Sequence, residues 1–476
     1  MEQPSPLKDL DHVNGLTWGH LKVVFTAGMG FFTDAYDLFI IGIAVNLFLA
    51  KLWQLTALQE GVLTSMAIWT AVVGQLLFGR LGDVLGRKAI YGVEATILSI
   101  GAVASALSPN FTWLLASRAV MGLGIGGDYP ISSVIASEYA PASSRGRAVS
   151  LVFANQGFGI AAAVAVGILS AYYLPPDLAW RVMLGVGAIP PMAVIYFRRK
   201  VPETPRFSLL VRGDAREFSK AVKVAVGREG AVDEVVMSEK TGIASFFKDY
   251  APVIIGTTVP WFLMDVALYG TGIFSSPITS AMLGASKAVW VDVLKSGLPL
   301  LVGIPGYFIA AALIDSAGRR PLQIAGFVGA AAAYLLLGLG SRMVGHTVEI
   351  LIPALAAYAA FSLAFLFINV GPNTTTFVLP SELYPVRYRT TGHGIAAASG
   401  KVGAGIATLL LPTLLYEWGL SQFMIVLAAL MLVGAGVTYG FVPEPARKPL
   451  EEVSKERLVR VPAPQPPLTA ASPRRP

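Results

Sequence analysis

Apolar stretches of about twenty residues recur along the chain and limit what it can fold into. A helix of roughly 20 residues crosses the hydrocarbon core of a bilayer, and apolar windows lie at 22–48, 58–79, 89–108, 111–136, 148–173, 180–197, 251–275, 292–314, 321–341, 349–377, 391–416 and 421–442. The runs are continuous rather than alternating, which excludes a membrane β-barrel. Only 14% of the 476 residues are charged, too few to cover a soluble protein of this length. The sequence predicts an all-α membrane protein with twelve transmembrane helices.

Positive charges are distributed unevenly between the loops. With both termini in the cytoplasm, 29 of the 36 lysines and arginines lie on that side, as the positive-inside rule requires. The net charge of +7 therefore indicates orientation in the lipid bilayer, not a nucleic-acid partner. We expect a monomeric, multi-pass protein of the cell membrane with both termini cytoplasmic.

Three short motifs occur twice. Residues 79–88 resemble 315–320, residues 138–147 resemble 382–389, and residues 202–206 resemble 443–447, at offsets of 232, 244 and 241 residues. Three matches in the same order indicate a duplication of six helices. The predicted organisation is a cytoplasmic N-terminus (1–21), an N-terminal six-helix bundle (22–197), a cytoplasmic linker (198–250), a C-terminal six-helix bundle (251–442) and a disordered cytoplasmic tail (443–476).

The repeated motifs supply charged side chains at the cytoplasmic ends of the helices. Pairs between them can hold one conformation and break in another, so we predict gating roles for Asp83, Arg87, Glu138, Arg147, Asp315, Arg319, Glu382 and Arg389. The alternative is that these residues contact lipid phosphates and only set the orientation.

The seventh window carries a carboxyl group near its centre. An ionisable residue at that depth costs roughly 2.5–3.5 kcal/mol on insertion scales, so its presence needs a reason. Trp261, Asp265 and Tyr269 are spaced i, i+4 and i+8, which places them on one face of a helix. The pattern favours a polar ligand site over an interhelical hydrogen-bond patch.

Further acidic residues lie in the N-terminal half. Asp34 and Asp37 are one turn apart in the first window, and Asp128 precedes Tyr129 in the fourth. Carboxyl groups joined by small residues can form a proton relay, and we expect Glu94 to extend that relay outward. Alternatively, one of the first-window pair caps a broken helix.

Neutral amides and two cations complete the candidate site. Gln156 and Asn373 lie at similar depth and can bind a ligand without a fixed charge. Lys401 can balance an anion or an ionised aspartate, unless it extends to the cytoplasmic interface. Arg118 is expected to be a structural ion-pair partner.

The repeated loop motifs resemble those of the major facilitator superfamily, and more specific strings narrow the resemblance. Asp-Ala-Tyr-Asp at 34–37 and Gly-Gly-Asp-Tyr-Pro at 126–130, with 261–270, 371–377 and 393–401, are similar to the phosphate:proton symporter family. The resemblance implies the major facilitator fold and no cofactor. It implies substrate contacts at Tyr129, Gln156, Trp261, Asp265, Tyr269, Asn373 and Lys401, and proton coupling at Asp34, Asp37, Glu94 and Asp128.

The predicted function is proton-coupled uptake of inorganic phosphate by alternating access, so the partners are phosphate and protons. Dihydrogen phosphate can donate an O–H to an ionised Asp265, whereas sulfate at neutral pH cannot. A sugar or organic-acid symporter of the same superfamily is the alternative. A non-transporting nutrient receptor is a further one, and we do not expect an enzyme.

Overall fold

Long apolar helices dominate the structure, a computed structural model that describes residues 5–13, 15–227, 235–344 and 347–461. In these ranges twelve segments are long and apolar enough to cross a bilayer, as predicted. We number them as spans 1 to 12: Trp18–Leu52, Ala57–Leu85, Arg87–Ala106, Phe111–Tyr139, Arg145–Tyr173, Pro176–Arg212, Ala251–Ile273, Val289–Ala317, Arg319–Leu339, Ala354–Leu383, Val386–Leu411 and Gly419–Phe441.

Individual helices follow these spans and add short surface segments. The helices are α1 Ser5–Asp11, α2 Trp18–Ala44, α3 Ala50–Leu52, α4 Ala57–Leu85, α5 Arg87–Ile90, α6 Val93–Ala106, α7 Phe111–Tyr139, α8 Arg145–Tyr173, α9 Pro176–Val186, α10 Ile189–Lys200, α11 Pro205–Phe207, α12 Ala215–Val226, α13 Ile243–Asp249, α14 Ala251–Ile273, α15 Ser275–Leu283, α16 Val289–Ala317, α17 Arg319–Leu339, α18 Ala354–Val370, α19 Pro372–Leu383, α20 Arg389–Glu417, α21 Gly419–Phe441 and α22 Leu450–Val453. One π turn, Val45–Leu49, joins α2 to α3, a second, Ser208–Arg212, follows α11, and a 3-10 turn, Val386–Tyr388, precedes α20.

The two halves meet along helices that the duplication relates to one another. Span 2 packs on span 11, and span 8 packs on span 5; spans 2 and 8 are repeats, as are spans 5 and 11. The loop before each repeated arginine turns at a glycine with positive φ, 98° at Gly86 and 94° at Gly318, a conformation that favours glycine. The duplication read from the motifs therefore appears as a pseudo-two-fold arrangement.

Among the described residues, four short strands form two antiparallel pairs. The strands β2 (Ser341–Val344) and β3 (Thr347–Ile350) make a hairpin between spans 9 and 10. The strand β1 (Val235–Ser238), from the linker, pairs with β4 (Leu458–Val461), from the tail. This second pair lies at the end of the molecule that carries the linker, which we call the linker side.

Two predicted boundaries need correction. Residues 443–461 are not disordered, because they contain α22 and a strand whose backbone is paired with the linker; composition cannot reveal a partner that is distant in the sequence. Residues 198–200 complete α10 instead of beginning the linker. Residues 462–476 of the predicted tail lie outside the described residues, as do 1–4, 14, 228–234 and 345–346.

The tail carries a buried carboxylate beside the seam between the halves. Glu456 accepts hydrogen bonds from Ser238 Oγ at 2.5 Å and from Val386 N at 2.9 Å, and it lies 3.9 Å from Arg389. Burial raises the pKa of the Glu456 carboxyl above its usual range, an effect that Arg389 opposes. Linker, tail and span 11 are thus joined through one side chain.

We expect Glu456→Ala to loosen the linker side of the protein. The change leaves buried donors without an acceptor, at about 1–3 kcal/mol. Because the chain contains no cysteine, a single Ser137→Cys can report opening: Ser137 is buried, and its Oγ donates to Ser381 O across the halves at 2.9 Å. Thiol labelling of that cysteine should become at least about fivefold faster.

The neighbouring Arg457→Ala provides the control. Arg457 makes an exposed pair with Glu239 at 3.8 Å, and exposed pairs contribute little to stability. Equal labelling rates in both variants would show that Glu456 does not hold the seam.

Candidate functional site

The seven predicted substrate-contact residues converge in the centre of the molecule. They come from spans 4, 5, 7, 10 and 11 and are all buried: Tyr129, Gln156, Trp261, Asp265, Tyr269, Asn373 and Lys401. Both halves contribute, so the cluster lies on the seam between them. We call this cluster the central site.

Lys401 is the hub of the central site. Its Nζ donates to the hydroxyl of Tyr269 at 2.7 Å and to that of Tyr129 at 3.3 Å. The same atom lies 3.6 Å from Asp265 Oδ2 and stands 4.0 Å and 4.7 Å from the centroids of the two tyrosine rings. Lys401 is 1% exposed, so it does not extend to the interface.

A chain of amides and hydroxyls continues from this hub. Gln156 Nε2 donates to Tyr129 Oη at 3.2 Å, and Gln156 Oε1 accepts from Tyr307 Oη at 3.2 Å. Asn373 Nδ2 donates to Tyr307 Oη at 3.0 Å and to Asn369 Oδ1 at 2.8 Å. Tyr307 and Asn369 were missed in the sequence. Asn369 could have been found, because it lies four residues before Asn373, on the same helical face.

Asp265 faces Lys401 with its Oδ2 atom, at ion-pair distance but, among the described residues, without a hydrogen bond. A glycine, Gly400, lets span 11 approach it: a Cβ there would meet Trp261 Cδ1 at 2.4 Å and Asp265 Oδ2 at 2.9 Å. The carboxylate therefore combines a nearby cation with unused acceptor capacity.

Aromatic side chains close the central site on the linker side. The ring of Phe377 stacks on Phe153 at 4.3 Å and meets Phe31 edge-on at 4.8 Å. The ring of His393 lies 5.4 Å from Phe377 and 5.6 Å from Trp261. These rings separate the polar cluster from the charged ends of the helices.

The opposite end is closed as well. The ring of Phe39 stacks on Tyr269 at 5.8 Å, and Asn46 Nδ2 donates to Ile273 O across the halves at 3.0 Å. A small cavity of about 20 Å³ lies beside these contacts. The central site is therefore enclosed on both sides.

The acidic residues of the N-terminal half divide into two groups. Asp34 and Asp37 are buried, and their carboxylate oxygens have no hydrogen-bond partner among the described residues. The helix α2 runs unbroken through both positions, so neither residue caps a broken helix. Asp34 interacts electrostatically with both Asp128 and Lys401, so it is coupled to the acidic residues of this half and to the central site.

Asp128 and Glu94 form an ion-paired cluster with a residue that the sequence analysis missed. Arg198 binds Asp128 through two hydrogen bonds, at 2.8 and 2.9 Å, and Glu94 through one at 2.8 Å. Ser132 Oγ adds a bond to Asp128 at 2.5 Å. Gly30 makes room in span 1, because a Cβ there would overlap both Asp128 and Arg198.

Two sequence expectations change as a result. Glu94 does not extend a relay outward: it lies in the first turn of α6, at the linker side, with the end of α10. Arg198 was assigned to the linker because it begins a basic run. Arg118, expected in an ion pair, instead donates to the backbone carbonyl of Asp37 at 3.3 Å, and no described acid lies within ion-pair distance of it.

The predicted gating residues meet at the linker side in two equivalent sets. Arg87 pairs with Asp83 at 3.2 Å and Glu138 at 3.1 Å. Their repeats do the same: Arg319 pairs with Asp315 at 2.9 Å and Glu382 at 2.7 Å. The arginine and carboxylate side chains of these pairs are all buried or nearly buried. Their partners are therefore each other and not lipid phosphates.

Several gate contacts cross between the halves. Asp83 accepts from the backbone N–H groups of Thr390 and Thr391 at 3.2 and 2.7 Å, and Arg389 binds Glu138 at 2.9 Å. Asp315 makes the reciprocal contact, accepting from Gly146 N and Arg147 N at 3.1 and 2.8 Å. The prediction for Arg147 needs correction, since only its backbone takes part and its side chain is exposed.

Other charged groups reinforce this gate. Glu203 accepts from Arg87 N at 3.1 Å, and its repeat Glu444 accepts from Arg319 N at 3.1 Å. Both belong to motifs whose repetition was visible in the sequence, although their role was not. A third cluster joins Arg206 to Asp11 at 2.7 Å and to Glu451 at 2.8 Å, which ties both terminal segments to the bundle.

Residues 23–456 match the family described as "Sugar (and other) transporter". The chain is a member of that family. As a transporter of the major facilitator superfamily, it also matches a solved structure of the proton:xylose symporter XylE bound to 6-bromo-6-deoxy-D-glucose, with a TM-score of 0.76, 19% identity and coverage of 92% of this chain and 98% of that one.

Curated relatives of this transporter are more similar in sequence. It is 34% identical to a probable inorganic phosphate transporter (1-6) of Arabidopsis thaliana, covering 96% of this chain and 97% of that protein. It is 33% identical to an inorganic phosphate transporter of Saccharomyces cerevisiae, covering 93% of this chain and 85% of the relative. These alignments span both halves of the fold.

We expect Arg198→Gln to destabilise the transporter strongly. It leaves Glu94 and Asp128 buried without their cation, and breaking a buried pair in this way costs about 3–5 kcal/mol. The adjacent Arg199 is exposed, so Arg199→Gln serves as the matched control. Thermal unfolding of the detergent-purified protein measures both.

A triple variant separates charge from shape. Combining Arg198→Gln with Glu94→Gln and Asp128→Asn removes all three charges and should recover most of the lost stability. If the triple variant were no more stable than Arg198→Gln, the ion pairs would not be the source of the effect.

Proposed function

We propose that this transporter carries inorganic phosphate together with protons into the cell by alternating access of the central site. The observation that carries the proposal is the combination of Lys401 and Asp265, 3.6 Å apart, within a ring of hydroxyl and amide groups. The phosphate transporters among its relatives support this choice of substrate.

The central site has the chemistry that a protonated oxyanion requires. Lys401 can balance the negative charge, while the hydroxyls of Tyr129 and Tyr269 and the amides of Gln156 and Asn373 can donate to phosphate oxygens. Asp265 can accept an O–H from dihydrogen phosphate. Sulfate at neutral pH has no such proton, and it would leave the buried acceptor unpaired.

Asp34 is the residue at which the coupled proton is proposed to bind. An unpartnered buried carboxylate is costly at low dielectric constant, so binding a proton there changes the energy of the site strongly. Asp34 interacts with both Lys401 and Asp128, and Asp37 lies one turn further along α2. Coupling requires that the proton stabilise one loaded conformation more than the other. Asp128 and Glu94, held by Arg198, would set the local field.

Alternating access would proceed by rocking of the two halves about the central site. On the linker side, opening requires that the bonds of Asp83 and Asp315 to the opposite half break together. On the other side, the contact of Asn46 with Ile273 must separate. The pseudo-two-fold arrangement makes the two gate sets equivalent. No catalytic group is assigned in this scheme.

The distribution of basic residues supports an orientation in the membrane, and the origin of the ligand groups supports an oligomeric state. The excess of lysine and arginine on the linker side favours a cytoplasmic position for the linker and both termini. All proposed ligand groups come from one chain, so a monomer in the cell membrane suffices.

Transport of a sugar is the second candidate, favoured by the match to the "Sugar (and other) transporter" family. The two candidates differ in charge: dihydrogen phosphate can form an ion pair with Lys401, whereas a neutral sugar can only form hydrogen bonds with the site. Uptake of labelled phosphate challenged with sulfate, glucose and benzoate separates them. Competition by glucose but not by unlabelled phosphate would favour the sugar.

We expect Asp265→Asn to lower proton-driven phosphate uptake in proteoliposomes by about tenfold to hundredfold. Loss of a charged acceptor weakens binding by roughly 1.5–3 kcal/mol. Asp249 is exposed in the linker, so Asp249→Asn should transport normally. Full proton-driven uptake by Asp265→Asn would contradict the proposed role of the carboxylate.

Asp34→Asn should separate phosphate movement from the proton gradient. Exchange of labelled for unlabelled phosphate at equal pH should persist, because the central site is intact, whereas gradient-driven accumulation should disappear. Asp177→Asn changes an exposed carboxyl and is the control. Accumulation by Asp34→Asn at the wild-type level would place the coupling elsewhere.

A further inference from the structure

A large surface groove lies apart from the central site, where span 1 begins and span 6 ends. Its volume is about 680 Å³, within the range of small-molecule sites. Trp18 and Phe25 line it from α2, Phe197 from α10, and Val224 from the surface helix α12. We call it the Trp18 groove.

The groove sits at the depth of a membrane interface. It opens beside the first turns of span 1 on the linker side, and its walls remain exposed: Trp18 by 71%, Phe25 by 62% and Phe197 by 57%. Tryptophan is enriched where helices enter the headgroup region. These apolar walls therefore face lipid rather than water.

Two lysines give the groove a charge. Lys22 and Lys200 both line it and both are exposed. Their ammonium groups rest near aromatic rings, that of Lys22 at 6.0 Å from Trp18 and that of Lys200 at 4.0 Å from Tyr196. No acidic residue is among the residues that line the groove. The site therefore offers an apolar trough that ends at two unneutralised cations.

We propose that the Trp18 groove binds an anionic phospholipid from the leaflet on the linker side. The lipid phosphate would lie near Lys22 and Lys200, and an acyl chain would follow Phe25 and Phe197. Charge complementarity identifies the occupant, because each lysine near the surface favours anionic over zwitterionic lipid. The ligand is a lipid rather than free phosphate, since most of the groove is apolar.

The groove also adjoins the buried ion-paired cluster. Lys200 lines the groove two residues after Arg198, which binds Glu94 and Asp128 inside the same bundle. Val194, one turn earlier on α10, lines the groove too. A lipid seated there would brace the end of α10, so its binding should raise the thermal stability of the protein.

Binding can be tested on the full-length, delipidated protein. Palmitoyl-oleoyl phosphatidylglycerol and palmitoyl-oleoyl phosphatidylcholine are titrated in parallel, and bound lipids are counted by native mass spectrometry. We expect tighter binding of phosphatidylglycerol and a rise in unfolding temperature with that lipid only. In Lys22→Gln/Lys200→Gln the apparent affinity for phosphatidylglycerol should fall roughly tenfold to thirtyfold.

Matched variants separate this site from general attraction to the basic surface. Lys240→Gln/Lys248→Gln removes two exposed lysines elsewhere on the linker side and should bind as the wild type does. Lys22→Arg/Lys200→Arg keeps both charges and should retain binding. Val224→Trp fills the groove at an exposed position and should weaken binding without changing the charge.

Fluorescence quenching locates the lipid. Phosphatidylglycerol with brominated acyl chains should quench the fluorescence of Trp18, which is the part of the emission that Trp18→Phe removes. Inorganic phosphate should not compete with the lipid for the groove. Any of three results would overturn the proposal. These are equal affinity for both lipids, unchanged binding in the double glutamine variant, and a co-purified polypeptide that cross-links to the Phe25 position.

Discussion

Ion pairs buried within the membrane-spanning bundle organise the protein from the linker side to the central site. Separating a buried pair costs about 3–5 kcal/mol, so each pair fixes the relative position of the helices that carry it. Within one half, Arg198 ties α6, α7 and α10 together. Between the halves, Arg389 and Glu138 tie span 11 to span 4. Pairs of the first kind make each half rigid, and pairs of the second kind must break when the halves move.

The duplicated halves have kept the same gate but have diverged in their interior. Asp83, Arg87 and Glu138 have counterparts in Asp315, Arg319 and Glu382, with the same bonds. The cluster around Arg198 has no such counterpart, since the motif offsets map Glu94 onto Gly326 and Arg198 onto Tyr439. Equivalent charged sets suit a rocking motion, and the unequal interiors are consistent with the proposal that proton coupling lies in the N-terminal half.

Periodicity and repetition were enough to predict the spans and three residues of the central site, and the family resemblance implied the other predicted contacts. Trp261, Asp265 and Tyr269 share a helical face whatever surrounds them, so local spacing identified them. Arg198 could not be recognised this way, because its role depends on two acids that lie 70 and 104 residues away. The same applies to the tail, whose strand is held by a linker strand over two hundred residues earlier. Composition reports the average tendency of a segment, and a distant partner can reverse it.

The internal bonds of the central site have a consequence for the complete transport cycle. A symporter that releases its cargo inside must bring its binding groups back across the bilayer unloaded. In this chain Lys401 binds Tyr129, Tyr269 and Asp265, so the Asp265 carboxylate supplies the negative charge that a bound phosphate would otherwise offer to the ammonium group. The protein thereby carries its own substitute for cargo. That substitute lowers the barrier of the return step, and the ligand must displace it each time it binds.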